Sequence, residues 1–158
     1  MGWHLKTFQE LTTEELYKIL KERVEIFVVE QNCPYSEIDN NDQKAFHLYK
    51  EEGGEIIAYS RIFASGDYYK EASIGRVIVK EKYRKAGLGK ELMKESLKFL
   101  RKELREKAVK IQAQDYLRKF YGSFGFELIS EVYMMDNLPH VDMLISDLQN
   151  TQIEIIRS

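Results

Sequence analysis

The sequence predicts an α/β protein with a mixed central β-sheet flanked by helices, and three observations predict it. Residues 73–79, Ser-Ile-Gly-Arg-Val-Ile-Val, are rich in β-branched side chains; after polar residues at Lys80 to Tyr83 they give way to a glycine-containing turn and a long amphipathic helix. Residues 46–51 and 55–63 read as two strands joined at Gly53-Gly54, a hairpin signal. The candidate elements follow the order β-α-β-β-β-α-β-α-β-β, which suits a layered fold whose sheet is antiparallel in its first half.

A chain of 158 residues with 44% hydrophobic content can bury one real core but not two. We therefore expect a single domain over residues 1–148 and a C-terminal tail over 149–158. Formal charge is −2, so no global basic field invites nucleic acid or an anionic membrane surface. No stretch approaches the roughly 18 apolar residues of a membrane span. Met1-Gly2-Trp3-His4 lacks the apolar run of a signal peptide, and a lone cysteine, Cys33, rules out an intramolecular disulfide. These features together predict a cytoplasmic protein with neither nucleic-acid nor membrane partners.

Residues 3–8 alternate and predict a first strand. Thr12 with Glu15 three positions later forms a capping box, and Leu16, Ile19, Leu20, Arg23, Phe27 and Val28 recur at helical spacing, so a helix is expected over about residues 13–29. Residues 31–44, with Pro34, Asn40, Asn41 and two aspartates, read as a long polar loop beside the substrate side. From Leu88 the period changes. Leu88, Leu92, Met93, Leu97, Phe99, Leu100 and Leu104 fill one half of a helical wheel, and Lys90, Lys94, Lys98, Arg101, Lys102 and Arg105 fill the other. Residues 109–113 predict a short buried strand, 116–124 a short helix with aromatics inward, 127–134 another strand and 141–148 the last. Both prolines, Pro34 and Pro139, are expected where regular structure stops.

Gly87 and Gly89 allow a ligand close to the backbone, and the first helical turn leaves several N–H groups without an intrahelical partner. Aligned peptide dipoles put partial positive charge there, and Arg84, Lys85 and Lys90 add full charges, so a phosphate or pyrophosphate is the natural guest. A Walker loop is excluded because Gly89-Lys90 is followed by Glu91, with no hydroxyl for a magnesium ion. The dinucleotide fingerprint is excluded because its third glycine is replaced by Leu92. What remains, Arg-x-x-Gly-x-Gly opening a helix after a Val-Ile-Val strand, resembles the acetyl-CoA pyrophosphate loop of the GNAT acetyltransferase superfamily. The segment from Gln114 through Tyr121 to Gly125-Phe126 resembles a second motif of that superfamily, in the expected order.

The likeness narrows further. Phe27 to Cys33, Asp39, Asp42, His47-Leu48, Ile74 to Val77, Ala113-Gln114 and Pro139 to Met143 together are similar to the ElaA family of GNAT-type N-acetyltransferases, over about residues 8 to 145. Residues Met135-Asp136-Asn137-Leu138 depart from that pattern, which has an acidic pair and a glycine before the Pro-His step. The resemblance implies a GNAT (acyl-CoA N-acyltransferase) fold and acetyl-CoA as co-substrate without a metal. It implies a splay between the central strand and the next. It also implies a cofactor site made of Val77, Ile78, Val79, Arg84, Lys85, Ala86, Gly87, Leu88, Gly89, Lys90 and Gln114, with a small-molecule or peptide amine as acceptor.

The chemistry sets its own demands. An amine of pKa about 10.4 is only about one part in 2500 neutral at pH 7, a deficit near 4.6 kcal/mol that a base or a desolvating pocket must offset. The thioester carbonyl needs a donor, which a backbone N–H on the Val77-Ile78-Val79 strand supplies if neighbouring strands part. Arg76 is either a charge buried with a carboxylate or a residue facing the acceptor, the packed pair being favoured. Tyr121 is the candidate acid for the departing thiolate; Tyr116 and Phe120 are packing residues. For the general base, His47, His140, Glu30, Asp39 and Asp42 all stay open. The acidic loop residues Glu37, Asp39 and Asp42 point to a cationic amine. Cys33 near His47, or with His4 and His140, lacks the spacing of a nucleophile or metal motif. Two other functional classes fit the same residues: a catalytically weak acyl-CoA-binding module, and an interaction protein whose tail, Gln152 to Ile156, pairs across a homodimer or lies free.

Overall fold

The computed structural model describes residues 2–32 and 36–152. Cys33, Pro34 and the apolar tail from Ile153 onward, the candidate nucleophile, loop proline and dimer strand of the sequence, lie outside the described residues. Strand β1 is His4–Thr7, β2 Phe46–Glu52, β3 Glu55–Phe63, β4 Ala72–Val79, β5 Val109–Gln114, β6 Glu127–Leu128, β7 Tyr133–Met135 and β8 Leu138–Ile145. Helix α1 is Thr13–Arg23, α2 Leu88–Lys98 and α3 Arg118–Gly122. Both longer helices end in π-helical turns, Val24–Glu30 after α1 and Phe99–Glu103 after α2.

All strands belong to one sheet in the order β1-β2-β3-β4-β5-β8-β6, with β7 also pairing β8. β1 to β4 are antiparallel, as is the set built on β8. The two halves meet through β4 and β5, the one parallel pair among the described residues, and only Ala72↔Val109 and Ser73↔Lys110 face each other there. Beyond Ser73 the ladder ends while both strands continue, and this is the splay that the resemblance implied.

The expected helices form for the expected reasons. The Thr12 hydroxyl accepts from the Glu15 amide while the Glu15 carboxylate accepts from the Thr12 amide, so the box caps α1. In α2, Leu88, Leu92, Met93, Leu97 and, one turn on, Leu100 are buried against Ile57, Ile62, Ile74, Ile111 and Phe124. Ser96 lies in the same stripe and is satisfied by the Ser60 hydroxyl and the Leu92 carbonyl, both at 2.8 Å. α1 and the π-helical turn after it cover the opposite face of the first half through Ile19 and Ile26, which join Tyr49, Ile56, Tyr59 and Ile78.

Two expectations fail in the last third. The strand expected over 127–134 is broken into β6 and β7. Asp136 and Asn137, with φ of 51° and 63°, make a tight two-residue reversal into β8, the geometry of a type I′ turn. Pro139 consequently sits inside β8, opposite Met134. It is tolerated because the pair next to the turn closes the hairpin, leaving the missing Pro139 N–H on the other side, where β5 pairing begins only at Gln114↔His140.

Candidate active site

Where β4 and β5 part, they enclose a cavity of about 290 Å³, near the lower end of the range for small-molecule clefts. Its wall includes Val77, Ile78 and Val79 from β4, Gln114 from β5, Tyr121 from α3, His140 from β8, and Glu30, Arg76 and Arg84. The Lys80 amide donates to the Ile57 carbonyl at 2.9 Å. Strand alternation therefore turns the amides of Ile78 and Lys80 toward β3 and those of Val77 and Val79 toward the open side. The Val79 carbonyl confirms the direction, since it accepts from Arg84 Nε at 2.8 Å rather than from a strand.

Residues 85–90 continue from Arg84 outside the cavity wall. Gly87 is the N-cap of α2 at φ 78°, a left-handed backbone suited to glycine, and no side chain caps the helix. The first returning amide is that of Glu91, on the Gly87 carbonyl at 3.2 Å, so the Leu88, Gly89 and Lys90 amides precede the helical ladder. A Cβ on Gly89 would meet Phe120 at 3.7 Å and Val79 at 3.8 Å, ordinary contact distances. Arg84 is engaged twice over: besides Val79 it pairs with Glu30 at 2.8 Å, tying the end of the π-helical turn after α1 to the start of the loop. Gln114 Nε2 donates to Gln31 Oε1 at 3.3 Å, a second tie between the two halves.

Tyr121 is 7% exposed, held edge-on between Phe120 and Phe126 at 5.1 and 6.2 Å. Burial pushes its phenol above the ordinary value. His140 Nδ1–H donates to the Leu138 carbonyl at 2.8 Å. A carbonyl only accepts, so the proton of the neutral ring is on Nδ1 and Nε2 is left as the acceptor. His47, by contrast, is 0% exposed, with Nε2–H on the Asp42 carbonyl at 3.0 Å and Nδ1 accepting from the Tyr59 hydroxyl at 2.7 Å. Burial holds its pKa below the usual imidazole range. It is a satisfied core group that does not line the cavity.

The acidic loop residues do not await a cation. Arg23, 0% exposed, takes Glu37 at 2.6 Å and Asp42 at 2.8 Å; Arg61, 1% exposed, takes Asp39 at 2.8 Å and Asp42 at 3.0 Å; Arg76 takes Glu37 at 2.9 Å. Three arginines neutralise three carboxylates, which corrects the expectation that Glu37, Asp39 and Asp42 recruit a cationic amine. Burial alone would raise the Asp42 carboxyl, but Arg23 and then Arg61 hold it below the ordinary range. Asp39 is lowered likewise, mainly through Arg61. Neither lines the cavity, so of the five candidate bases only Glu30 and His140 do. Arg76 is the packed ion pair favoured from sequence, and it also lines the cavity, at φ 50° in the irregular stretch of the β3–β4 ladder.

Several lining residues carried no sequence signal. Tyr68 and Tyr69 follow the Gly66 turn with no periodicity to mark them, whereas Arg61 was legible in principle, as a charge inside the otherwise apolar run of β3. Among the described residues no group of three His, Cys, Asp or Glu side chains is placed to hold a metal, and no helix is long and apolar enough to cross a membrane.

A family model described as an acetyltransferase (GNAT) domain matches residues 9–146. Protein ElaA of Escherichia coli (strain K12) is 40% identical over 143 residues, spanning 89% of this chain and 94% of that protein. Among solved structures, an acyl-CoA N-acyltransferase from Pseudomonas aeruginosa superposes with a TM-score of 0.86 at 36% identity, over 91% of this chain and 99% of the other. The crystal structure of Escherichia coli ElaA superposes with a TM-score of 0.85 at 38% identity, over the same shares.

Proposed function

The chain belongs to the GNAT acetyltransferase domain family, and on that premise we propose that it transfers the acetyl group of acetyl-CoA directly to a primary amine of a small molecule or peptide within a ternary complex. The observation that carries this reading is the parting of β4 from β5 after two residue pairs, which leaves strand amides facing a cavity; Arg84, in its wall, begins the loop that runs into the uncapped N-terminus of α2. The site suits the co-substrate. The amides of Leu88, Gly89 and Lys90, with Lys85 and Ala86 in the approach, would hold its diphosphate, and Gln114 would border its pantetheine arm. The thioester supplies an activated acyl group.

Within the protein, the Val77 amide, fixed by the sheet, donates to the carbonyl oxygen and needs no reorganisation as charge develops. His140 Nε2 accepts the proton that the amine loses. The Tyr121 hydroxyl donates toward the departing sulfur. The new N–C bond replaces the C–S bond, one proton leaves nitrogen and one reaches sulfur, so no metal or redox partner is required. His140 is preferred to Glu30 because its acceptor nitrogen is oriented by the Leu138 carbonyl, whereas the Glu30 carboxylate is engaged by Arg84.

Thiol release from acetyl-CoA against a panel of amines tests the proposal. Free CoA should appear only when an amine is present, with the acetylated amine in equal amount. Thermal stabilisation by acetyl-CoA without product across the panel would favour the binding-module reading instead.

A further inference from the structure

The cavity wall contains residues for which acetyl transfer gives no role. Arg61 and Arg76 both reach it, together with Phe63, Tyr68 and Tyr69. The Arg61 guanidinium lies 5.0 Å over the Phe63 ring and 6.0 Å over the Tyr68 ring, and those rings stack at 4.8 Å. The carboxylates that neutralise the two arginines, Glu37, Asp39 and Asp42, are absent from the wall. A ligand at this wall therefore meets the Arg76 guanidinium first, its side chain 18% exposed, with the buried Arg61 behind it, and the attraction at contact outweighs the opposing charge farther off. Arg61 has a further mark: its Nε is buried with no partner among the described residues, a rare condition for an interior donor.

We propose that this wall is a subsite for a carboxylate carried by the amine acceptor. The acceptor is then an amino acid or another amino carboxylate, its apolar or aromatic body against Phe63, Tyr68 and Tyr69. This rests on the acetyl-transfer reading and narrows it. The lining carries three arginines, Arg61, Arg76 and Arg84, against two carboxylates, Glu30 and Asp136, so a polyamine would bring its second cation to an excess of positive charge, whereas an amino carboxylate presents the planar acceptor that guanidinium groups match.

The test is a matched series of acceptors: phenylalanine, phenylalaninamide and phenethylamine, assayed for thiol release from acetyl-CoA, with rates expressed per neutral amine to remove differences in amine pKa. Phenylalanine should show a kcat/KM at least tenfold above the other two. In Arg76→Gln that preference should shrink to less than threefold while the KM for acetyl-CoA stays put. Equal or better turnover of the amide or of phenethylamine by the parent protein overturns the subsite. Should no amine be acetylated, the function proposed above fails instead, and calorimetry decides the subsite. N-acetylphenylalanine binding at least tenfold more tightly than N-acetylphenethylamine in the presence of CoA sustains it, and equal or absent binding of the acid overturns it.

Discussion

Replacing Tyr121 by phenylalanine isolates the hydroxyl. The ring keeps its edge contacts with Phe120 and Phe126, and the hydroxyl has no hydrogen-bond partner among the described residues. Removing it therefore leaves no buried group unsatisfied, and the urea midpoint should stay level or rise slightly. An unperturbed phenol near pKa 10 is already about 2 kcal/mol short of protonating a thiolate near 8.5. Burial moves the Tyr121 phenol farther up, so full proton transfer ahead of bond cleavage is still less favourable. Its contribution is then that of a neutral donor to a developing anion, about 1.5–3 kcal/mol, or roughly 10- to 150-fold in kcat. Steady-state kinetics by thiol trapping, beside calorimetric acetyl-CoA binding, provides the readout. The expected result is a fall in kcat in that range with unchanged affinity. A kcat within threefold of the parent, or a loss matched by weakened binding, would show that the hydroxyl does not serve the leaving group.

Other substitutions probe the remaining parts. Gly89→Ala fits the space beside Phe120 and Val79 and improves helix propensity by about 1 kcal/mol; it should fold at least as well as the parent yet weaken acetyl-CoA, and the bulkier Gly89→Val should abolish cofactor binding, both read by calorimetry. His140→Gln removes the oriented acceptor and should lower kcat/KM by roughly 100-fold or more, while Glu30→Gln should stay within fivefold; the reverse order would move the base to Glu30. Asp42→Asn leaves buried Arg23 and Arg61 without their shared charge and should cost about 3–5 kcal/mol, lowering the urea midpoint by roughly 2 M at a slope near 2 kcal/mol/M. Because the Asp42 and Asp39 carboxyls are depressed in the folded state, they contribute full stability above the unfolded value of about 3.9 and lose it as pH falls from there toward their folded values. Denaturant titrations from pH 6 down to 3 should show that decline in the parent and a shallower one in Asp42→Asn.

Local patterns were legible and distant pairings were not. The passage from β4 through Gly87 into α2 announces itself because side-chain periodicity changes within a few residues, and the Thr12–Glu15 box and the Gly53-Gly54 reversal are written in adjacent positions. The ion-pair network is different. Arg23 reaches Glu37 across 14 positions and Arg76 reaches the same carboxylate across 39, a spacing no periodicity encodes, so the loop acids looked available for a ligand. Pro139 was misplaced for a related reason: a proline reads as a stop unless the register is known, and here the register puts its missing donor where no ladder bond is required.

The network and the opening of the sheet are mechanically one feature. A left-handed backbone at a residue such as Arg76 costs about 1–2 kcal/mol, and such a residue persists only if its surroundings hold it there. Glu37 does so: its carboxylate takes both Arg76 Nε and the wholly buried Arg23 Nε, at 2.9 and 2.6 Å. Arg23 ends α1 and Arg76 directly precedes Val77, so α1, the loop and the irregular turn of β4 are fastened at one carboxylate. Replacing Glu37 should therefore loosen α1, the loop and the cavity wall together, lowering the urea midpoint. The Val77 amide keeps its direction, because the ladder from Ile78 to Lys80 sets it; what Glu37 holds in place is the Arg76 side chain and the stretch of cavity wall it forms.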